Sequence, residues 1–295
     1  MVKELTTFLK CSKQLIEKRL PEHINAIQAP EQLKEAMLYS LNAGGKRIRP
    51  AFVFATLQSF GVSMEKGLDV ACALEMIHTY SLVHDDLPAM DDDDLRRGKP
   101  TNHKVFGEAL AILAGDALLT YSFEVIANLD AAVSTTQKVE LIREISQAAG
   151  PAGMVGGQVA DMAGEDQQLT LDELIFIHQH KTGDLLTASV MSGAILSGAN
   201  VDEMKQLRNF SRELGLIFQI KDDILDVEGD TVLIGKPVGS DQNNNKSTYP
   251  NLLGLDAAKQ KLSEHIKLAK EYIYDIEIDS KLLVDLTEYV ANRDH

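Results

Sequence analysis

Two apolar helical runs in this chain end in carboxylates, and any fold must satisfy both ends. The first, Val70 to Val83, holds one carboxylate, Glu75, and then opens into His84-Asp-Asp-Leu-Pro-Ala-Met-Asp-Asp-Asp-Asp94. Six of the ten residues from Asp85 to Asp94 are aspartates. The second, Leu214 to Ile220, runs into Lys221-Asp-Asp-Ile-Leu-Asp226. Two carboxylates about 4 Å apart repel by roughly 4 kcal/mol at an effective dielectric of about 20. Asp222 and Asp226 are four residues apart and share a helical face, where like charges destabilise the helix. Both clusters fall toward C-terminal helix ends, where the macrodipole disfavours anions. An acidic run alone is usually a solvated turn, and Pro88 invites a turn here. Two such clusters, each after an apolar helix, favour a shared cation site. The hard, oxygen-binding cation is Mg2+, which takes one or two carboxylates, several waters and substrate phosphates.

Helical periodicity governs the rest. Leu33, Met37, Leu38 and Leu41 form one stripe. Thr170 with Glu173 three residues on reads as a capping box. Residues 202–227 and 256–276 read as long helices, and the uncharged stretch Leu185 to Val201 as a buried helix with small residues. Two-residue alternation is scarce, so the fold class is all-α. No Pro/Ser-rich linker interrupts the chain, so residues 1–295 are expected to form a single domain. Residues 228–250 are polar and rich in Gly and Asn, the composition of a long loop of the kind that serves as a lid.

Composition removes other classes. Against 29 basic side chains stand 44 acidic ones, a net charge of −15, which disfavours nucleic acid and anionic membranes as partners. Cys11 and Cys72 make neither a disulfide framework nor a zinc site. The start, Met1 to Lys10, carries charges where a signal peptide needs an apolar run. No span of membrane type is expected, and a soluble, cytoplasmic protein is.

Anionic ligands need cations. Gly44-Gly-Lys-Arg-Ile-Arg-Pro50 sets Lys46, Arg47 and Arg49 behind two glycines that let backbone approach a ligand. Arg grips phosphate oxygens with a fork, Lys with a point charge. The nucleotide loop GxxxxGK[ST] is absent, as is an EF-hand pattern. Arg96 and Arg97 follow the aspartates directly, and Lys181 and Lys236 add basic points. His78, on an apolar helix, reads first as a core hydrogen bonder, but seven residues before Asp85 it lies on a similar helical face from which a phosphate is within reach.

Together these features resemble the trans-isoprenyl diphosphate synthases, and the resemblance covers nearly the whole chain. GGKRIRP is similar to that family's isopentenyl diphosphate motif. Residues His84 to Gly98 are similar to its first aspartate-rich motif, Gly153-Met-Val-Gly-Gly-Gln-Val-Ala-Asp161 to its GQxxD motif, and Lys181-Thr182 to its KT pair. Phe218 to Asp226, followed by Gly235-Lys236, resemble its second aspartate-rich motif.

The resemblance implies a helical bundle around a deep cavity, usually in a homodimer, that joins an allylic diphosphate (dimethylallyl or geranyl) to isopentenyl diphosphate. It implies Mg2+ on Asp85, Asp86 and Asp91, and on Asp222 supported by Asp223 and Asp226. Several ions would bridge these aspartates and the allylic diphosphate. Isopentenyl diphosphate falls to Gly45, Lys46, Arg49, His78 and Arg97. The allylic diphosphate falls to Arg96, Lys181, Thr182, Gln219, Lys236 and Lys246, with Arg96, Lys181, Thr182 and Gln219 acting in catalysis. The DDxxxxD spacing and Tyr80, five residues before Asp85, resemble bacterial farnesyl diphosphate synthases, where a rigid ring stops the growing chain. Ser81 is small, which leaves that role to Tyr80. The alternatives are a geranylgeranyl or longer-chain synthase, a terpene cyclase, which has no use for GGKRIRP, and a non-catalytic acidic metal-binding or regulatory subunit.

Overall fold

The computed structural model describes residues 2–165, 167–228 and 247–293. In chain order the helices are α1 (Val2–Ala26), α2 (Glu31–Leu41), α3 (Ile48–Ser59), α4 (Leu68–Asp85), α5 (Asn102–Phe106), α6 (Glu108–Ala127), α7 (Thr135–Ala149), α8 (Met154–Gly164) and α9 (Leu171–Ile177). A π-helical turn (His178–Gly183) leads into α10 (Asp184–Ser197), α11 (Val201–Glu228), α12 (Tyr249–Leu253), α13 (Leu255–Tyr274) and α14 (Lys281–Ala291). A hairpin of two-residue strands, β1 (Leu95–Arg96) and β2 (Lys99–Pro100), is the sheet content of the described residues. The fold is all-α.

The chain clusters into two compact units. Residues 2–54 and 63–142 form the first, residues 55–62 and 143–293 the second. Both are discontinuous in sequence, and α3 begins in one and ends in the other.

In the first unit α4 is buried on every side from Val70 to Ile77, as expected of a helix apolar all round. It packs against α1, α2 and α6. The contact with α6 is close because Gly115 has no side chain: a Cβ there would run into the His84 ring. His84 Nε2 lies 3.1 Å from the Ile112 carbonyl oxygen. The same helix turns Ile112 and Leu113 outward, exposed, beside Asp116. Among the described residues α6 is the one helix long and apolar enough to cross a membrane by length and composition alone.

In the second unit α10 is buried from Leu185 to Leu196. The expected helix Leu185 to Val201 is corrected at its end. Gly198 adopts a left-handed conformation (φ 73°), the Ala199 amide bonds back to the Ala194 carbonyl (3.0 Å), and Val201 is exposed at the start of α11. A glycine in that conformation stops a helix whatever the hydropathy beyond it. Helix α11 packs on α10 and α13, and its Leu214, Ile217 and Ile220 are fully buried. Each such burial contributes about 1.5–3 kcal/mol, against about 0.3–1 kcal/mol for an anion at the wrong end of the dipole. The apolar run therefore holds the helix through its acidic end. The capping box forms as expected: the Glu173 amide donates to Thr170 Oγ1 (3.3 Å) and the Thr170 amide to Glu173 Oε2 (2.8 Å). The expected loop 228–250 is shorter at both edges, since Glu228 closes α11 and Tyr249 opens α12. Residues 229–246 lie outside the described residues.

Candidate active site

The first aspartate cluster forms where α4 runs out. Asp85 is its last residue and Asp86 caps it, the Asp86 amide donating to the Leu82 carbonyl at 3.1 Å. Pro88 cannot continue the helix, and the chain doubles back. The Asp91 amide donates to the Asp85 carbonyl (2.8 Å) and the Asp92 amide to the Leu87 carbonyl (3.1 Å). The four residues between Asp86 and Asp91 are thus looped out, and the long spacing returns Asp91 to Asp85. Asp92 takes φ 49°, a left-handed conformation Asp tolerates better than most residues.

Arg97 and Gly98, both at positive φ (55° and 75°), make the two-residue turn that pairs Arg96 with Lys99. Arg96 reaches back from this hairpin. Its Nε donates to Asp86 Oδ1 (2.7 Å), and Nη2 to Asp93 Oδ2 (3.1 Å). Burial raises the Asp86 pKa against the pull of Arg96. The guanidinium expected to grip the allylic diphosphate is thus engaged with two aspartates. Asp94 pairs with Lys104 at 2.6 Å, so part of the acidic run is balanced locally.

Asp85, Asp86 and Asp91 supply carboxylate oxygens, a donor set that fits Mg2+, while His84 is turned to the Ile112 carbonyl. A divalent cation beside Asp86 would also oppose the burial that raises its pKa. Among the described residues no three His, Cys, Asp or Glu side chains form a closed metal-binding group. Mg2+ needs no such cage, because waters and phosphates complete its shell.

The glycine loop lies in the same unit. Gly44 and Gly45 take φ 92° and 130°, and Arg97 Nη1 donates to the Gly44 carbonyl. A Cβ at Gly45 would sit 2.7 Å from that nitrogen, so only glycine lets the guanidinium in. Lys46 is exposed, while Arg47 turns inward. Arg49 is half-buried, its Nε without a partner. Burial lowers its pKa to about 10, with Arg97 adding to the effect and Glu75 opposing it. Burial, then Arg49, Arg97, Arg47 and Arg96, drive the His78 pKa well below the usual imidazole range, so His78 is neutral at pH 7. A site this crowded with cations is short of negative charge. Tyr80 is buried on α4, its ring edge-on to His84 (5.7 Å between centroids). Burial, and the charge of Asp85, push its hydroxyl up to about 12. Ser81 Oγ donates to the His78 carbonyl (3.0 Å).

In the second unit a cavity of about 160 Å³ is lined by Asp161, His178, Lys181, Thr182, Gln219, Asp223 and Thr248, among others. Lys181 and Thr182 sit on the π-helical turn, a feature that often marks functional sites. Two glycines make room for it. A Cβ on Gly157 of α8 would run into the Lys181 amide, and one on Gly215 of α11 would lie 2.7 Å from the Gly183 Cα. Lys181 Nζ is 2.5 Å from Asp161 Oδ2, so the GQxxD aspartate holds the KT lysine. His178, stacked on Tyr249 (5.8 Å, 22°), is neutral because burial lowers its pKa to about 4.

The three α11 aspartates diverge. Asp222 is exposed and pairs with Arg293 Nη2 at 2.5 Å. Asp223 is buried and accepts the Tyr249 amide at 2.9 Å. Asp226, half-buried, lies one turn beyond Asp222. Lys236 and Lys246 lie outside the described residues. Lys181, Thr182, Gln219 and Asp223 come together, as do Gly45, Arg49, His78 and Arg97; Arg96 belongs to the latter unit. Sequence reasoning missed Glu75 and His178 as participants, and it named Asp161 and Lys181 in separate motifs without seeing that they pair. Glu75 carried a signal as the one carboxylate inside an apolar run.

Residues 30–278 match the family model described as polyprenyl synthetase. The chain is 55% identical to a farnesyl diphosphate synthase of Geobacillus stearothermophilus, over 98% of this chain and 97% of that one. It is 54% identical to a farnesyl diphosphate synthase of Bacillus subtilis over 100% of both. Among solved structures, an FPP/GFPP synthase from Zymomonas mobilis in apo form superposes with a TM-score of 0.88 at 36% identity, covering 98% of this chain and 100% of that one.

Proposed function

The chain belongs to the polyprenyl synthetase family, and from that premise we propose how its own residues carry a farnesyl-forming prenyl transfer. The enzyme joins isopentenyl diphosphate to dimethylallyl or geranyl diphosphate, giving farnesyl diphosphate and free diphosphate. The observation that carries this reading is the polar cavity of the second unit, where Lys181 and Thr182 of the π-helical turn share one lining with Gln219 and Asp223 of α11.

Lys181, Thr182 and Gln219 hold the allylic diphosphate, joined by Arg96, Lys236 and Lys246. The allylic C–O bond breaks and the diphosphate leaves with the electron pair. Lys181 stabilises that developing charge, which is electrostatic catalysis. The oxygens of Thr182 and Gln219 face the allylic cation. Gly45, Lys46, Arg49, His78 and Arg97 hold isopentenyl diphosphate, whose double bond attacks the cation. A proton is then lost to the released diphosphate. Asp85, Asp86 and Asp91, and Asp222 with Asp223 and Asp226, would hold Mg2+. When bound, Mg2+ neutralises charge on the leaving diphosphate as a Lewis acid. The buried Tyr80 ring limits the product at farnesyl length, with Ser81 too small to do so.

One domain is the reading for residues 1–295, supported by α3, a single helix whose residues are shared between the two units. A homodimer is supported by Ile112 and Leu113, large apolar side chains left exposed on α6. A soluble cytoplasmic enzyme fits the charged residues Glu108, Asp116 and Glu124 on the same helix.

The test is incubation with geranyl diphosphate, labelled isopentenyl diphosphate and Mg2+, with and without chelator, followed by sizing of the dephosphorylated alcohols. Farnesol that disappears with chelator is the expected result. Geranylgeraniol or longer alcohols would keep the family and remove the Tyr80 floor. Absence of any coupled product from folded protein would return the non-catalytic reading.

A further inference from the structure

The arginine cluster around the glycine loop has one carboxylate buried within it. Glu75 lies on α4, 2% exposed, and its Oε1 is 2.5 Å from Nη1 of Arg47, itself 4% exposed. Arg47 also donates through Nη2 to the Leu41 carbonyl at the end of α2 (2.6 Å). Its φ of 52° is costly for a residue with a Cβ, so contacts of this kind must hold it there. Arg47 stands between Lys46 and Arg49, the two cations of the loop assigned to isopentenyl diphosphate. The pair thus ties the middle of that loop to α4 and α2 at once.

From this geometry we infer that Glu75, acting through Arg47, is a positioning residue for the diphosphate of isopentenyl diphosphate. The inference rests on the assignment of Gly45, Lys46, Arg49 and Arg97 to that ligand. Glu75 has two effects. Its ion pair holds the loop in the left-handed turn that presents Gly45 to Arg97 and turns Lys46 outward. Its charge also supports the protonated forms of Arg49 and Arg97, both lowered by burial and by neighbouring arginines. It leaves the cluster net positive, with room for an anion.

The experiment compares steady-state kinetics of Glu75→Gln, Glu75→Asp, Lys46→Ala and the double variant Glu75→Gln/Arg47→Met, each checked for folding by thermal melting. Glu75→Gln is expected to raise KM for isopentenyl diphosphate about tenfold or more, with KM for geranyl diphosphate changed by less than about twofold. The alkaline limb of kcat/KM for isopentenyl diphosphate moves to lower pH, because removing a carboxylate lowers the neighbouring guanidinium pKa. Glu75→Asp recovers part of the loss. The double variant, which removes both buried charges, recovers thermal stability and keeps the high KM.

If Lys46→Ala raises that KM and folded Glu75→Gln does not, the inference is wrong and the site assignment stands. Failure of Lys46→Ala to raise it would overturn the site assignment itself. A double variant with normal KM would show that the pair serves stability alone, which also overturns the inference. Should Glu75→Gln fail to fold, the double variant and Glu75→Asp decide the question.

Discussion

Tyr80 shows how much one side chain can decide. It is 6% exposed, which alone describes an ordinary core aromatic. Its position is more telling: about one and a half helical turns before Asp85, near enough for the Asp85 charge to act on its hydroxyl. Tyr80→Ala is therefore expected to lengthen the product beyond fifteen carbons while leaving the first condensation intact, read by sizing the alcohols after phosphatase treatment. Unchanged farnesol would return Tyr80 to a packing role. Asp223 makes the converse point. In sequence it is the equal of Asp222, yet it is buried and bonded to the Tyr249 amide, while Asp222 is exposed and paired with Arg293. Neighbours in a motif lie about 100° apart on a helix, so one faces inward as the other faces out.

At the scale of elements, the π-helical turn does what a regular helix cannot. It sets Lys181 and Thr182 on the cavity wall, with Lys181 held by Asp161. The turn fits only because α8 and α11 approach it through Gly157 and Gly215. Gly157→Ala places a methyl group against backbone, which has no rotamer to yield. The expected cost is about 1–3 kcal/mol of stability, with a larger loss in kcat than in KM for isopentenyl diphosphate. Denaturant midpoints and steady-state kinetics check both halves. A variant of native stability and turnover would mean that the turn tolerates displacement. The capping box at Thr170 and the stripe on α2 were legible in the sequence because both depend on residues within one helical turn. The π-turn was not, because it exists where three elements meet.

For the whole molecule, Ile112 and Leu113 of α6 are among the large apolar side chains left exposed in the described residues. Leu113 is 56% exposed on a helix whose Ala111, Ala114 and Leu118 are fully buried on the opposite face. If a second copy covers it, Leu113→Glu is expected to weaken the dimer by about 2 kcal/mol or more, roughly thirtyfold in Kd, by sedimentation equilibrium. An unchanged mass at all concentrations would place the subunit contact elsewhere. By itself the sequence determined the all-α class, the long helices α11 and α13, the two acidic helix ends and the basic loop. These are local matters, set by periodicity, caps and glycines a few residues apart. Tertiary structure alone decided which charges are spent on one another: Arg47 on Glu75, Arg96 on Asp86, Lys181 on Asp161 and Arg293 on Asp222. Partners up to 71 residues apart meet only once the helices pack. These pairs depend on distance in space after packing, and their spacing along the chain does not encode them.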